Sequence, residues 1–253
     1  GHEEGAAVLE MTLYGGSCRF EEDTIIALTG ADMQPTVNQK PIAMNQAVKV
    51  PAGGVLNLGM AKTGCRTYLA VAGGFEGPKV MGSYSTNLKC GIGGHEGRAL
   101  QMGDELPIGE ALHSWDEVKD RKVSVPDYPE EVLVSVVPGP QEEYFTEAGI
   151  HHFYSESYEV TESCDRMGYR LEGPEVESKN GTDIVSDGIV FGSIQIPSNG
   201  KPIILMADHQ TTGGYAKIGT VTQADLPKVA QCKPGDRIRF RKVSVEEAQK
   251  ISR

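Results

Sequence analysis

The chain has 253 residues, 39% hydrophobic and 23% charged, enough for one large domain or two modest ones with a real core. Its net charge of −11 sets it against nucleic acid and anionic membrane, and no apolar run approaches the roughly 18–20 residues of a membrane helix. Five scattered cysteines (Cys18, Cys65, Cys90, Cys164 and Cys232) contain no CxxC, so they support neither a zinc site nor a disulfide framework; buried thiols in a reducing cytoplasm fit them.

In chain order, Ala6 to Tyr14 reads as a strand almost from the start, and Gly15-Gly16 turns it towards Cys18-Arg19-Phe20. Thr24 to Leu28 is a second buried strand. Val48 to Val50 followed by Gly53 to Gly59 reads as a hairpin, and Arg66 to Ala72 as a strong strand ending on Gly73-Gly74. Many short strands with glycine turns argue a barrel or sandwich over a doubly wound parallel sheet. From Gly82 to Arg98 the chain is rich in glycine and serine and lacks apolar periodicity, the mark of a functional or mobile loop. Its glycines, with Arg98, are suited to holding an anion through backbone N–H groups, although spacing alone favours an ordinary surface loop. No phosphate-binding GxxxxGK[ST] occurs. Gly103 to Leu106 resembles a turn feeding a last strand. The polar stretch Ala111 to Tyr128, with Trp115 and two prolines near its end, is the natural boundary, giving domains 1–125 and 126–253.

Beyond it, Glu131 to Val137 is a clear strand stopped by Pro138-Gly139-Pro140, and Gln141 to Ala148 a short helix ended by Gly149. His151-His152 invites a metal reading. Adjacent histidines diverge on a helix or strand, however, and no carboxylate–histidine motif accompanies them, so a loop pair and no metal site is expected. Ser157 to Val160 leads to Asp165-Arg166-Met167-Gly168-Tyr169-Arg170, where two arginines could grip a carboxylate or carbonyl, or form a surface ion-pair patch. Asp225 to Gln231 and Val243 to Ile251 read as helices. Arg237 to Arg241 reads as a strand whose basic residues face solvent. Glycine turns at Met102-Gly103-Asp104 and Pro234-Gly235-Asp236 hint at two similar barrels.

The organising stretch is Ser186 to Val221. Its apolar run Pro202 to Ala207 ends abruptly on five polar residues, Asp208-His209-Gln210-Thr211-Thr212. Gly213-Gly214 then allows a tight turn or close approach to a ligand, and Tyr215 to Ile218 resumes a strand. Polar groups released from the end of a rigid strand are placed to bind or react; a polar hairpin that only reverses the chain is the plain alternative.

Four segments together carry a resemblance: Arg66–Gly74 (RTYLAVAGG), Gly82–Asp104, Cys164–Pro174 (CDRMGYRLEGP) and Gln195–Gln231 with its D-x-Q-T-T-G-G-Y. The chain resembles, over nearly its whole length, the biotin-dependent carboxyltransferase family. That family includes the C component of bacterial 5-oxoprolinase, KipA-type antagonists of a kinase inhibitor, allophanate hydrolase subunit 2 and the carboxyltransferase part of urea amidolyase. The resemblance implies a mainly β fold of two β-barrel-type subdomains, the second cyclophilin-like, with a few short helices. It implies roughly sixty further residues ahead of Gly1, carrying a glutamine–aspartate–glycine–arginine motif. It also puts arginine more often where Tyr84 and His209 stand.

On this resemblance the chain is expected to work with two partners, one KipI-like and one LamB/YcsF-like, opening the lactam 5-oxoproline to glutamate. ATP would be used by the complex, with no cofactor bound covalently, since no Met-Lys-Met occurs. Asp208 is the expected general base, with His209 and Tyr215 as proton carriers. Arg166 and Arg170, beside Asp165, would steady an anionic substrate. Gln195, Gln210, Thr211 and Thr212 would orient a carbonyl, and the N–H groups of Gly213 and Gly214 would support an oxyanion. Ser83, Ser85, Thr86 and Arg98 are the expected substrate contacts from the other barrel. Two readings stand beside this one. The first is carboxyl transfer to urea or a related amide from carboxybiotin on a separate carrier. The second is a non-catalytic module that sequesters a KipI-like inhibitor.

Overall fold

The structure is a computed structural model that describes residues 2–124 and 126–251. The chain divides into two compact units, Gly1–Asp127 and Tyr128–Arg253.

In the first unit, β1 (Leu9–Thr12), β2 (Ser17–Arg19), β3 (Thr24–Asp32), β4 (Thr36–Val37), β5 (Lys40–Pro41), β6 (Ala47–Val50), β7 (Val55–Asn57) and β8 (Thr63–Val71) are followed by the short helix α1 (Trp115–Val118). The strands form two four-stranded antiparallel sheets, ordered β1-β8-β3-β6 and β2-β7-β4-β5. Alternation sends Ile26 and Leu28 of β3 and Leu69 and Val71 of β8 inward. There they meet Phe20, Val37, Leu56 and Leu58 around one core. The expected hairpin of Val48–Val50 with Gly53–Gly59 is not formed. β6 pairs with β3, whereas β7 pairs with β2 and β4, so the Pro51–Gly54 turn carries the chain from one sheet to the other. Nor does Gly103 feed a strand; the only ladder contact nearby among the described residues is the isolated bridge of Phe75 to Ile108.

The second unit contains β9 (Glu131–Pro138), a 3-10 turn (Glu142–Tyr144), α2 (Glu147–Ser155), β10 (Ser157–Cys164), β11 (Gly168–Glu172), β12 (Asp183–Gly188), β13 (Ser193–Ile196), β14 (Ile203–Leu205), β15 (Thr212–Val221), α3 (Leu226–Gln231), β16 (Arg237–Lys242) and α4 (Val245–Ile251). Seven of these strands close a barrel in the order β15-β13-β14-β11-β10-β16-β9, and β9 returns to β15. β12 adds to β15 as an outer edge strand. Every pairing is antiparallel except β9 with β16. Val132, Val134 and Val136 of β9 and Ile238 and Phe240 of β16 alternate into the core. α2 places Phe153 flat on Phe240, with ring centroids 4.4 Å apart. Arg237, Arg239 and Arg241 face outward, as their alternation predicts.

The mainly β architecture expected from sequence is the one observed. Four more local expectations are corrected. The helix after Pro140 starts at Glu147, because Thr146 caps it by accepting from Gly149 N–H, and residues 142–144 form only a 3-10 turn. His151 and His152 therefore lie in that helix and not in a loop. Gly213-Gly214 lies inside β15 and makes no turn. Of the cysteines, Cys65 and Cys232 are buried, but Cys90 is exposed.

The glycine turns at Gly103 and Gly235 are the same structure. In each, the aspartate N–H donates to the carbonyl three residues back, and its carboxylate accepts from the N–H of that residue: Asp104 with Gln101, Asp236 with Lys233. Both glycines have positive φ, 94° and 91°, which an L side chain resists.

Candidate functional site

The loop from Met206 to Thr211 leaves β14 and is clamped on both sides. Met206 N–H donates to the Met167 carbonyl at 2.9 Å and Asp208 N–H to the Arg166 carbonyl at 2.7 Å, so the β10–β11 turn holds its first half. Ile189 N–H donates to the Thr211 carbonyl at 3.0 Å and holds its last residue. On this frame the Arg166 guanidinium reaches the Asp208 carboxylate, Nε to Oδ2 at 3.0 Å and Nη2 to Oδ1 at 3.3 Å. Arg166, expected to steady a substrate anion, and Asp208, expected as a general base, thus meet each other as a forked ion pair. Asp165 is engaged elsewhere: its Oδ1 accepts from the N–H groups of Met167 and Gly168 and shapes the turn that presents Arg166.

His209 Nδ1 lies 2.6 Å from the Gln210 carbonyl. A carbonyl only accepts, so Nδ1 carries the proton and Nε2 of the neutral ring is left as the acceptor. A proton carried by His209 would therefore move through Nε2. Gln210, Thr211 and Thr212 are exposed along the rim, and Tyr215 is 40% exposed beside them.

The deeper part of the site lies on the outer wall of the barrel. Ile194 and Ile196 point into the core, so Gln195 between them points out, yet it is only 2% exposed. A β-carbon on Gly213 would stand 2.7 Å from Gln195 Nε2 and 2.6 Å from Ile189 Cδ1, so glycine is what lets that carboxamide lie against β15. Gln195 Nε2 also lies 3.5 Å from the Tyr215 carbonyl. Register places Gln195 directly between Lys217 of β15 and Ile203 of β14, with Arg170 of β11 next in the row. At about 4.8 Å per strand, Arg170 stands roughly 10 Å from Gln195. Its side chain is exposed.

Sequence reading missed Lys217, Asp187 and Gln141. Lys217 Nζ donates to Asp187 Oδ2 at 2.9 Å, and Lys217 N–H to Gln141 Oε1 at 3.1 Å. The Lys217 ammonium holds the Asp187 carboxyl below the usual carboxylate range, helped by Gly188 N–H at 2.7 Å. The signal was there in one place: a lysine between Ala216 and Ile218 in an apolar strand.

Ser83, Ser85, Thr86 and Arg98 belong to the first unit, in a loop folded tightly on itself. A β-carbon on Gly93 would collide with the Ser85 carbonyl, and one on Gly94 with the Thr86 hydroxyl. Ser83 Oγ accepts from Ser85 N–H at 3.1 Å. Arg98 forks onto Asp104 at 2.7 and 2.9 Å and also meets Glu96, so its guanidinium braces the loop. The Arg98 contact, first of all, keeps the Asp104 carboxyl well below the ordinary range. Among the described residues no cluster of three His, Cys, Asp or Glu side chains is placed to hold a metal. None of their helices is long and apolar enough to cross a membrane.

With this geometry in place, comparison with known proteins gives consistent matches. The model of the carboxyltransferase domain, subdomains A and B, matches residues 1–242. The 5-oxoprolinase C subunit of Haemophilus influenzae is 36% identical over 100% of this chain and 80% of its own length. That of Escherichia coli is 38% identical over 99% of this chain and 79% of its own length. Among solved structures, the urea amidolyase of K. lactis superposes with a TM-score of 0.86 at 28% identity, covering 96% of this chain and 16% of that one. The chain belongs to the carboxyltransferase domain family, subdomains A and B.

Proposed function

From that membership we propose that the chain is the C component of a 5-oxoprolinase, opening the lactam of 5-oxoproline to glutamate with partner proteins. The observation that carries this reading is the match to two 5-oxoprolinase C subunits at 36–38% identity, along the whole chain and about four fifths of theirs. The proposed partners are a KipI-like protein and a LamB/YcsF-like protein. ATP is a substrate of that complex, handled by the partners, since this chain has no phosphate-binding loop.

The outer-wall site supplies chemistry suited to a small lactam. Gln195 and Gln210 offer carboxamides to orient the ring carbonyl, and exposed Arg170 offers a charge for the substrate carboxylate. Asp208 accepts the proton of the attacking nucleophile, and Arg166 fixes its orientation. His209 Nε2 and the Tyr215 hydroxyl carry protons at the rim in this reading.

One observation favours a second reading: the superposition on urea amidolyase at a TM-score of 0.86. In that case the same carboxamides would orient a urea-like amide, and carboxybiotin would arrive as a substrate on a separate carrier. Complementation separates the two. A strain lacking its own 5-oxoprolinase C component, supplied with this chain and its cognate partners, grows on 5-oxoproline if the first reading holds. Absence of growth with folded protein and both partners present counts against it.

A further inference from the structure

A buried lysine on the outside of a barrel requires an explanation. Lys217 stands between the core residues Ala216 and Ile218, and its side chain retains only 6% exposure. Taking an ammonium out of water is costly unless it is paired. Its pair is Asp187, whose carboxylate stays 55% exposed. Asp187 belongs to β12, a strand with no fully buried residue that joins the sheet through β15 alone. The ladder between them is irregular from Asp183 to Asp187. Gln141 reinforces the junction: its Oε1 accepts from Lys217 N–H at 3.1 Å. Beside this lightly packed strand is Gly213 of β15, the cross-strand partner of Asp187, and against Gly213 lies the carboxamide of Gln195, the cross-strand neighbour of Lys217.

We propose that Lys217 is a positioning residue: through Asp187 it holds β12 as a strap beside Gln195 and Gly213, and so governs how a small carbonyl substrate is enclosed on the outer wall. The strap follows from the geometry alone; its effect on a substrate rests on the reading of this wall as the lactam site. The competing account is that Asp187 does no more than neutralise a buried charge.

Hydrogen exchange of the whole chain, followed by mass spectrometry, separates these accounts. In Asp187→Asn the amides of residues 183–188 exchange about tenfold faster, while those of β9 and β16 keep their rates. In the double variant Lys217→Met with Asp187→Asn the buried charge is gone but the strap is still loose, so fast exchange persists. Wild-type exchange in the double variant, or no acceleration in Asp187→Asn, overturns the proposal. Should the double variant fail to fold, Lys217→Met alone separates the accounts: with no buried ammonium left to neutralise, fast exchange of residues 183–188 supports the strap and wild-type exchange overturns it. In the assembly with its partners, Asp187→Asn raises KM for 5-oxoproline about tenfold and leaves kcat within about twofold. An unchanged KM, or a loss confined to kcat, overturns the positioning role. An inactive wild-type assembly would refute the lactam reading while leaving the exchange result intact.

Discussion

Arg166 and Asp208, forty-two positions apart, are joined twice: by a forked ion pair with Nε 3.0 Å from Oδ2, and by Asp208 N–H donating to the Arg166 carbonyl. The side-chain pair is partly exposed, at 37% and 26%, so water screens it and its direct contribution is small. A double-mutant cycle of Arg166→Ala and Asp208→Asn, read by chemical denaturation, is expected to give a coupling of about 0.5 kcal/mol.

The catalytic expectation at the same residue is much larger. Asp208→Asn keeps the shape of the side chain and removes its basicity. With both partners present, kcat for 5-oxoproline should fall by about a hundredfold or more, with KM little changed. A fall of less than about threefold would remove Asp208 from the role of base.

Gly213→Ala tests the close approach behind Gln195. Its new methyl would meet Gln195 Nε2 and Ile189 Cδ1 at 2.7 and 2.6 Å, both side-chain atoms that must shift. Overpacking of this kind costs about 1–3 kcal/mol, visible as a lower melting temperature. Gly213→Ala should also impair turnover more than Gly214→Ala, where the nearest atom lies at 3.4 Å.

The first unit should carry an acid-sensitive brace. Arg98 holds the Asp104 carboxyl below its ordinary value, so the folded state binds that proton less readily than the unfolded chain. The resulting stability is fully present above the unfolded pKa of about 3.9 and is lost as pH falls through the lower folded value. The melting-temperature gap between the wild type and Asp104→Asn should therefore be level from about pH 5 to 8 and close below about pH 4.

In the barrel core, Phe153 stacks on Phe240 and both are essentially fully buried. Phe240→Ala is expected to destabilise the second unit by about 3–5 kcal/mol, and Phe240→Leu by much less, in urea unfolding followed by circular dichroism.

How much of this was legible in the chain depended on whether one segment carried its own signal. β9 and β16 alternate cleanly between apolar and polar residues, and both were readable. Val48–Val50 and Val55–Asn57 were readable as strands but not as members of different sheets. Short glycine turns look alike whether they reverse the chain or hand it on. β12 was invisible as a strand because Ile184 and Val185 are its only apolar residues, and so its ion pair with Lys217 was invisible too. The polar run Asp208–Thr212 was recognisable as a candidate site from its abrupt end to an apolar strand. That Gln195 would be buried on the outer wall needed the barrel, since its neighbours Ile194 and Ile196 show only that it faces away from them.

The parallel pairing of β9 with β16 sets a condition on how the second unit forms. Arg241 on β16 bonds Ser135 on β9 across 106 positions, and this seam joins the unit's first strand to its last. Closing so long a loop costs entropy before any core contact compensates it, which slows folding. During synthesis the barrel would emerge as an open sheet with β9 lacking its second neighbour, and it could not seal until Arg237–Lys242 had cleared the ribosome. Until then the valine-rich edge of β9 is a strand waiting for a partner, the kind of surface that chaperones shield and that aggregates recruit.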